Sequence, residues 1–322
     1  MRQMRIIHNG EMSPVSLRSY KRDVLGNVFT CAINLVRAVH TSEIPWASTK
    51  SEEAAGVLEA LTPANWGLEG SDCLYPHIPP THAYLISLIW QDEVAQKCWQ
   101  RANEFNLPES TAYYLSSITR LSKEPFIPSQ EDVLRLRLPT SETTVNDFAN
   151  DGWTFRITDI GGQRGSRRRW VRIFDGINAI IFLAALSEYD QVWHIEDEEE
   201  EGKNRLELSL EIFQEVIRYP GFERTSVIVF LNKTDVLEQR ILTSDLQKYF
   251  PDYTGPKQDA RRATEYIQER FKSIARRENK NVHFHETCAT DTQKTKFVFT
   301  AVRDDILWRN VKEIVEPFSV ME

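Results

Sequence analysis

An all-helical first half followed by a mostly parallel, doubly wound α/β half is the fold class this sequence predicts, and three observations predict it. From about residue 17 to residue 135, apolar residues recur at three- and four-residue steps. From Trp153 onward, short β-branched or aromatic runs alternate with amphipathic helical stretches, the order that builds a parallel sheet covered on both faces. A length of 322 residues also exceeds that of a usual single domain and leaves room for two.

Taken in order, Val24, Leu25, Val28, Phe29, Ala32, Leu35, Val36 and Val39 mark one face of a long helix. A polar, proline-containing stretch over 42–80 carries shorter helical pieces. Helical periodicity then returns in 85–99 and 110–121, and nothing in this half reads as a strong strand. In the second half the predicted strands are 154–159, 179–184, 226–231 and 282–288. The predicted helices are 204–218, 259–277 and 297–314. Doubly wound folds place their ligands at the carboxyl ends of such strands.

Composition narrows the function classes. A hydrophobic fraction of 41% suffices for ordinary cores, and a net charge of −8 argues against bulk nucleic-acid binding, which needs a basic footprint. That balance does not exclude a local basic patch, and Arg167-Arg168-Arg169 is one such run. Cys31, Cys73, Cys98 and Cys288 show no CxxC spacing and no histidines at zinc-finger distance, so they read as reduced thiols of a cytosolic protein. His283 and His285 fall on one side of a strand, but no cysteine or carboxylate completes a metal set, and structural histidines are the plainer reading. The acidic run over 196–201 reads as a solvated loop or a helix start. The longest apolar run, 179–186, is far shorter than a membrane span. Arg2 stands where myristoylation needs glycine, so peripheral membrane association is expected only through partners.

Four motifs carry chemistry. Asp159-Ile160-Gly161-Gly162-Gln163-Arg164 follows a predicted strand. Its aspartate can hold magnesium, its glycines let the backbone approach a phosphate, and its glutamine can orient water. A tight turn would explain the glycines alone. Asn232-Lys233-Thr234-Asp235 ends an apolar strand, and a fixed carboxylate there can accept the N1 and N2 hydrogens of guanine, which adenine lacks. Thr287-Cys288-Ala289-Thr290 ends the last strand, where a backbone N–H can meet the guanine O6. At the seam between the halves, Leu134-Arg135-Leu136-Arg137-Leu138-Pro139-Thr140 offers an arginine for phosphoryl charge and a hydroxyl for magnesium, although two arginines in a linker are also simply solvated.

In this order, and with an all-helical segment before the arginine, the motifs resemble the alpha subunits of heterotrimeric G proteins. The residues over 2–8, 112–115, 127–135, 159–170 and 287–292 carry the resemblance along nearly the whole chain. It implies a Ras-like doubly wound P-loop GTPase domain with an inserted all-α domain, divided as 1–14 (end of the first Ras-like helix), 15–134 (helical insertion) and 135–322 (remainder of the GTPase domain). It implies binding of GTP and GDP with Mg2+, and GTP hydrolysis in G protein-coupled receptor signalling. Partners would be a βγ dimer, a receptor and an effector, at the cytoplasmic face of the plasma membrane. At matching positions, Arg137 would be the arginine supplied in cis and Gln163 would position the hydrolytic water. Thr140 and Asp159 would hold magnesium, Gly162 would contact the γ-phosphate, and Asn232, Lys233, Asp235 and Ala289 would read guanine. Leu134 and Arg135 would pack near the nucleotide. Trp170 and Phe174 read either as core packing or as a partner-facing patch, and the resemblance favours the βγ and effector surface.

The chain departs from this pattern in one large respect. No GxxxxGK[ST] string occurs in its 322 residues. The family's phosphate loop and first strand would lie before Arg2, so Met1 is expected to be an internal start, from alternative initiation or a missing first exon. For the chain as it stands, lost charge-assisted bonds would lower triphosphate affinity by orders of magnitude, each being worth roughly 1.5–3 kcal/mol. Loss of a central strand would leave two interior strands with open edges. The alternative expectation is therefore a catalytically dead form that binds βγ or effectors without nucleotide turnover. Glu142, where the family usually has glycine, and the tail over 316–322 depart as well.

Overall fold

The computed structural model describes residues 2–61, 77–138, 143–150, 152–161, 170, 176–193, 202–222, 225–288, 291, 293, 296 and 300. Contacts divide the chain into two compact units, Met1–Pro139 and Thr140–Glu322. All of the expected helix over 297–314 except residue 300, the acidic run over 196–201, Cys73 and Phe174 lie outside the described residues.

Every regular element described in the first unit is a helix: α1 (Arg2–Asn9), α2 (Pro14–Ser19), α3 (Lys21–Thr41), α4 (Thr49–Glu59), α5 (Pro80–Gln91), α6 (Glu93–Gln100), α7 (Thr111–Ser116), α8 (Ile118–Leu121) and α9 (Gln130–Leu134). Helix α3 forms the axis of the unit. All eight residues of its predicted apolar face are buried, against Ala54, Leu58, Ile86, Tyr114, Leu115 and Val133 among others. Burying a leucine or valine contributes roughly 1.5–3 kcal/mol, which is what holds short flanking helices that are marginal alone. The single helix expected over 85–99 is two, because Asp92 takes an extended conformation and caps the second. Its Oδ1 accepts the N–H groups of Val94 at 2.9 Å and Ala95 at 3.3 Å. The stretch over 110–121 is likewise divided, at Ser117.

The second unit holds β1 (Thr144–Asn150), β2 (Trp153–Asp159), β3 (Ala179–Ala185), β4 (Ser226–Asn232) and β5 (Val282–Thr287). It also holds helices α10 (Arg205–Ile217), α11 (Thr234–Arg240), α12 (Leu246–Tyr249) and α13 (Ala260–Arg277), with a 3₁₀ turn over Leu186–Asp190. Strands β3, β4 and β5 are parallel in that order, as the alternation of strands and helices predicts. Strand β4 is central and buried on both faces, which its uninterrupted apolar run requires. Phe213 of α10 and Phe271 of α13 meet edge-on at 5.2 Å, and Phe182 of β3 packs against both.

Strand β1 was not among the expected elements. Its sequence, Thr-Val-Asn-Asp-Phe-Ala-Asn, is polar, and the antiparallel hairpin with β2 is what makes it a strand. The Asp151-Gly152 pair between them is a strong turn signal, and Gly152 has a φ of 80°. Among the described strands, β2 pairs only with β1 and β3 only with β4, so two sheets stand where one was expected. Strand β3 nevertheless has the composition of an interior strand, with Leu183 61% exposed.

Candidate functional site

The parallel register aligns Ala185, Asn232 and Thr287, the last residues of three adjacent strands. Three connecting segments therefore leave the sheet in one layer, at the carboxyl edge where such folds hold ligands. The strands do more than sit side by side there. The hydroxyl of Thr287 donates to Oδ1 of Asn232 at 3.1 Å, a bond buried in the protein. Thr234 in turn donates from its hydroxyl to the Thr287 carbonyl at 3.4 Å. The second and third sequence motifs are thus locked together by side chains, and the orientation of the Asn232 amide is fixed by the bond its oxygen accepts.

Lys233 lies between them in the left-handed conformation, with φ 66° and ψ 40°, and caps α11. A non-glycine residue held there carries strain of the kind that accumulates at functional sites. The turn it makes places Asp235, exposed, in the first turn of α11, where the helix dipole favours its negative charge. The Lys233 Nζ lies 3.8 Å from Glu188 Oε1, in the 3₁₀ turn that follows β3. Glu188 also takes Arg205 Nη2 at 2.8 Å, while Arg240 donates to the Ser187 carbonyl at 2.9 Å and to Asp190 at 3.0 Å. Arg240 and Lys233 thereby hold the segment after β3 against the motif after β4, while Arg205 ties the same segment to α10. Glu188, Arg205 and Arg240 were not legible as site residues, since none belongs to a motif that the sequence singles out.

A family model described as the G-protein alpha subunit matches residues 1–306 of the chain. The chain belongs to the G-protein alpha subunit family. It is accordingly a guanine-nucleotide-binding signal transducer, and the alpha subunits of this family are GTPases built from a Ras-like domain and a helical domain. Members work with βγ dimers, receptors and effectors. No described helix of this alpha subunit is long and apolar enough to cross a membrane.

The remaining expected site residues fall in three groups. Asp159 ends β2 with a half-buried carboxylate, followed by the buried Gly161, whose carbonyl accepts the Trp170 indole N–H at 3.0 Å. Trp170 packs with Val216, Phe222 and Ile160, so core packing accounts for much of it. Gly162, Gln163, Thr140 and Ala289 lie outside the described residues. The third group belongs to the first unit. Arg135 is turned to structural work, with its guanidinium 4.5 Å over the Tyr113 ring and its Nη2 3.0 Å from Glu131. Leu134 ends α9 half-buried beside it, and the Arg137 side chain is exposed.

Helix α9 is fixed by Asp132, which is fully buried and still charged in a set of matched donors. Arg120 donates two bonds to it, at 2.9 and 2.7 Å, Tyr113 one at 2.8 Å, and the Ser129 N–H one at 2.7 Å in a capping box. Burial opposes its ionisation, yet these partners hold the Asp132 carboxyl below the ordinary carboxylate range. Burial and the Asp132 bond push the Tyr113 hydroxyl up to about 12.

The described residues contain no group of three or more His, Cys, Asp or Glu side chains able to hold a metal. Magnesium needs no such cage. It keeps several waters and takes one or two protein oxygens together with the substrate phosphates, so a single carboxylate such as Asp159 at a strand end suits it.

Proposed function

We propose that this alpha subunit is a GTP-hydrolysing switch in G protein-coupled receptor signalling, with the guanine site at the carboxyl ends of β4 and β5. The observation that carries this reading is the buried Thr287–Asn232 bond, which joins two motifs 55 residues apart beside the exposed Asp235 carboxylate. In this reading Asp235 accepts the two guanine donors, Asn232 meets the base edge, and the Lys233 stem lies along the ring. The backbone at Ala289 donates to O6. Gln163 orients the attacking water, and the exposed Arg137 guanidinium neutralises charge on the transferring phosphoryl group. Gly162 bonds the γ-phosphate through its N–H. Asp159 and Thr140 would hold magnesium, which supplies charge neutralisation at the phosphates when bound. The domains are those expected from the family, with 15–134 as the helical insertion, and the chain works with βγ, receptor and effector at the inner face of the plasma membrane. Nucleic acid is not a partner in this reading.

A second reading is supported by the lack of any GxxxxGK[ST] string: a form that occupies βγ or effectors without nucleotide turnover. Titration of the full chain with a fluorescent GTP analogue, with and without magnesium, followed by single-turnover hydrolysis, separates the two. Magnesium-dependent binding and phosphate release support the switch. Undetectable nucleotide binding together with capture of a purified βγ dimer supports the second reading.

A further inference from the structure

Asn27 is a polar residue on the inner flank of α3, only 9% exposed and flanked by buried Val24, Leu25 and Val28. Asparagine is a poor choice for a helix interior, and its buried amide is costly unless its donors and acceptor are used. Here they are used, and on one residue above all. Oδ1 accepts the Arg137 N–H at 3.0 Å, and Nδ2 donates to the Arg137 carbonyl at 3.3 Å. The second Nδ2 hydrogen reaches the Asp23 carbonyl, one turn back, at 3.2 Å. One side chain therefore satisfies both backbone polar groups of a residue 110 positions away.

The same segment is gripped a second time. Arg2 Nη1 donates to the carbonyls of Leu136 at 2.7 Å and Val133 at 3.1 Å, and Leu136 is itself buried. The backbone over 133–137 is thus fixed from both sides, while the Arg137 side chain projects exposed from it. A side chain with several rotatable bonds delivers its charge reproducibly only from a fixed base, and misplacement by about 1 Å can cost about 100-fold in rate.

We propose that Asn27 is a positioning residue for Arg137, clamping the backbone from which the Arg137 guanidinium reaches the phosphates. This rests on the reading of Arg137 as the arginine supplied in cis. Asn27 touches no reacting atom and acts only through Arg137.

The test is a double-mutant cycle in the full chain on single-turnover GTP hydrolysis, with Asn27→Ala, Arg137→Ala and the pair. Asn27→Ala is expected to slow hydrolysis about 10- to 100-fold while GTP affinity stays within about threefold. In the Arg137→Ala background, it is expected to add less than about twofold. Full additivity of the two losses, or an unchanged Asn27→Ala rate beside a slow Arg137→Ala, overturns the proposal. An Arg137→Ala rate equal to wild type instead removes the reading of Arg137, and the proposal with it.

A readout without nucleotide is amide hydrogen exchange at Arg137, expected to be protected in the wild type and at least about tenfold faster in Asn27→Ala. Equal exchange overturns the clamp. Should alanine unfold the unit, Asn27→Asp keeps the shape and the acceptor for the Arg137 N–H but cannot donate to its carbonyl. Its hydrolysis is expected to fall by about three- to tenfold, and only where Arg137 is present. A wild-type rate in that variant overturns the proposal.

Discussion

Thr287 and Asp132 show at the scale of single residues how buried polar groups organise this protein. The Thr287 hydroxyl has a use beyond packing, since it fixes which way the Asn232 amide points. Thr287→Val keeps the shape and removes the bond that Asn232 Oδ1 accepts from the hydroxyl. It is expected to cost about 1–3 kcal/mol in urea unfolding and to weaken guanine-nucleotide binding relative to wild type. Asp132 is an acid-sensitive group of the first unit. Its carboxyl titrates lower in the folded chain than in the unfolded one, so its contribution is complete above the unfolded value. That contribution fades as pH falls through the lower folded value. Asp132→Asn is therefore expected to destabilise the chain by on the order of 1–3 kcal/mol at neutral pH. The gap to wild type should narrow below about pH 4 in unfolding curves taken against pH.

Individual elements divide into those legible from local pattern and those made by distant partners. Helices α3, α10 and α13 follow from periodicity, because each carries its own buried face, and strands β3 and β4 follow from their short apolar runs. The division of 85–99 at Asp92 was written in the sequence as a cap residue, but helical spacing on both sides concealed it. Strand β1 was not legible at all. Phe148 is its buried apolar residue, and its pairing with β2 supplies the rest. The contrast between β3 and β4 gives a test at this scale. Leu231 of β4 is fully buried and Leu183 of β3 is largely exposed. Leu231→Ala is expected to lower the unfolding free energy by about 2–5 kcal/mol, and Leu183→Lys to change it by less than about 0.5 kcal/mol. Chemical unfolding of both variants checks the difference, and a large loss in Leu183→Lys would mean that this face of β3 is covered.

For the whole molecule, what was legible of the site is what lies in consecutive residues at strand ends. Asn232, Lys233 and Asp235 form one string after an apolar run, and the structure brings Thr287 to them as the parallel order requires. Asn27, Glu188 and Arg205 were not legible, because their roles exist only through contacts between distant stretches. The family match over residues 1–306 gives these separate pieces one context, that of a guanine-nucleotide-binding transducer. The central claim is that the edge formed by β4 and β5 reads guanine through Asp235. The most direct measurement is competition for a fluorescent GTP analogue on the full chain, by GDP and by ATP, in wild type and Asp235→Ala. The account predicts displacement by GDP and not by ATP, with affinity for the analogue at least about tenfold weaker in the variant, as loss of a charge-assisted bond requires. Equal displacement by ATP, or an Asp235→Ala protein that binds the analogue as well as wild type, would contradict it.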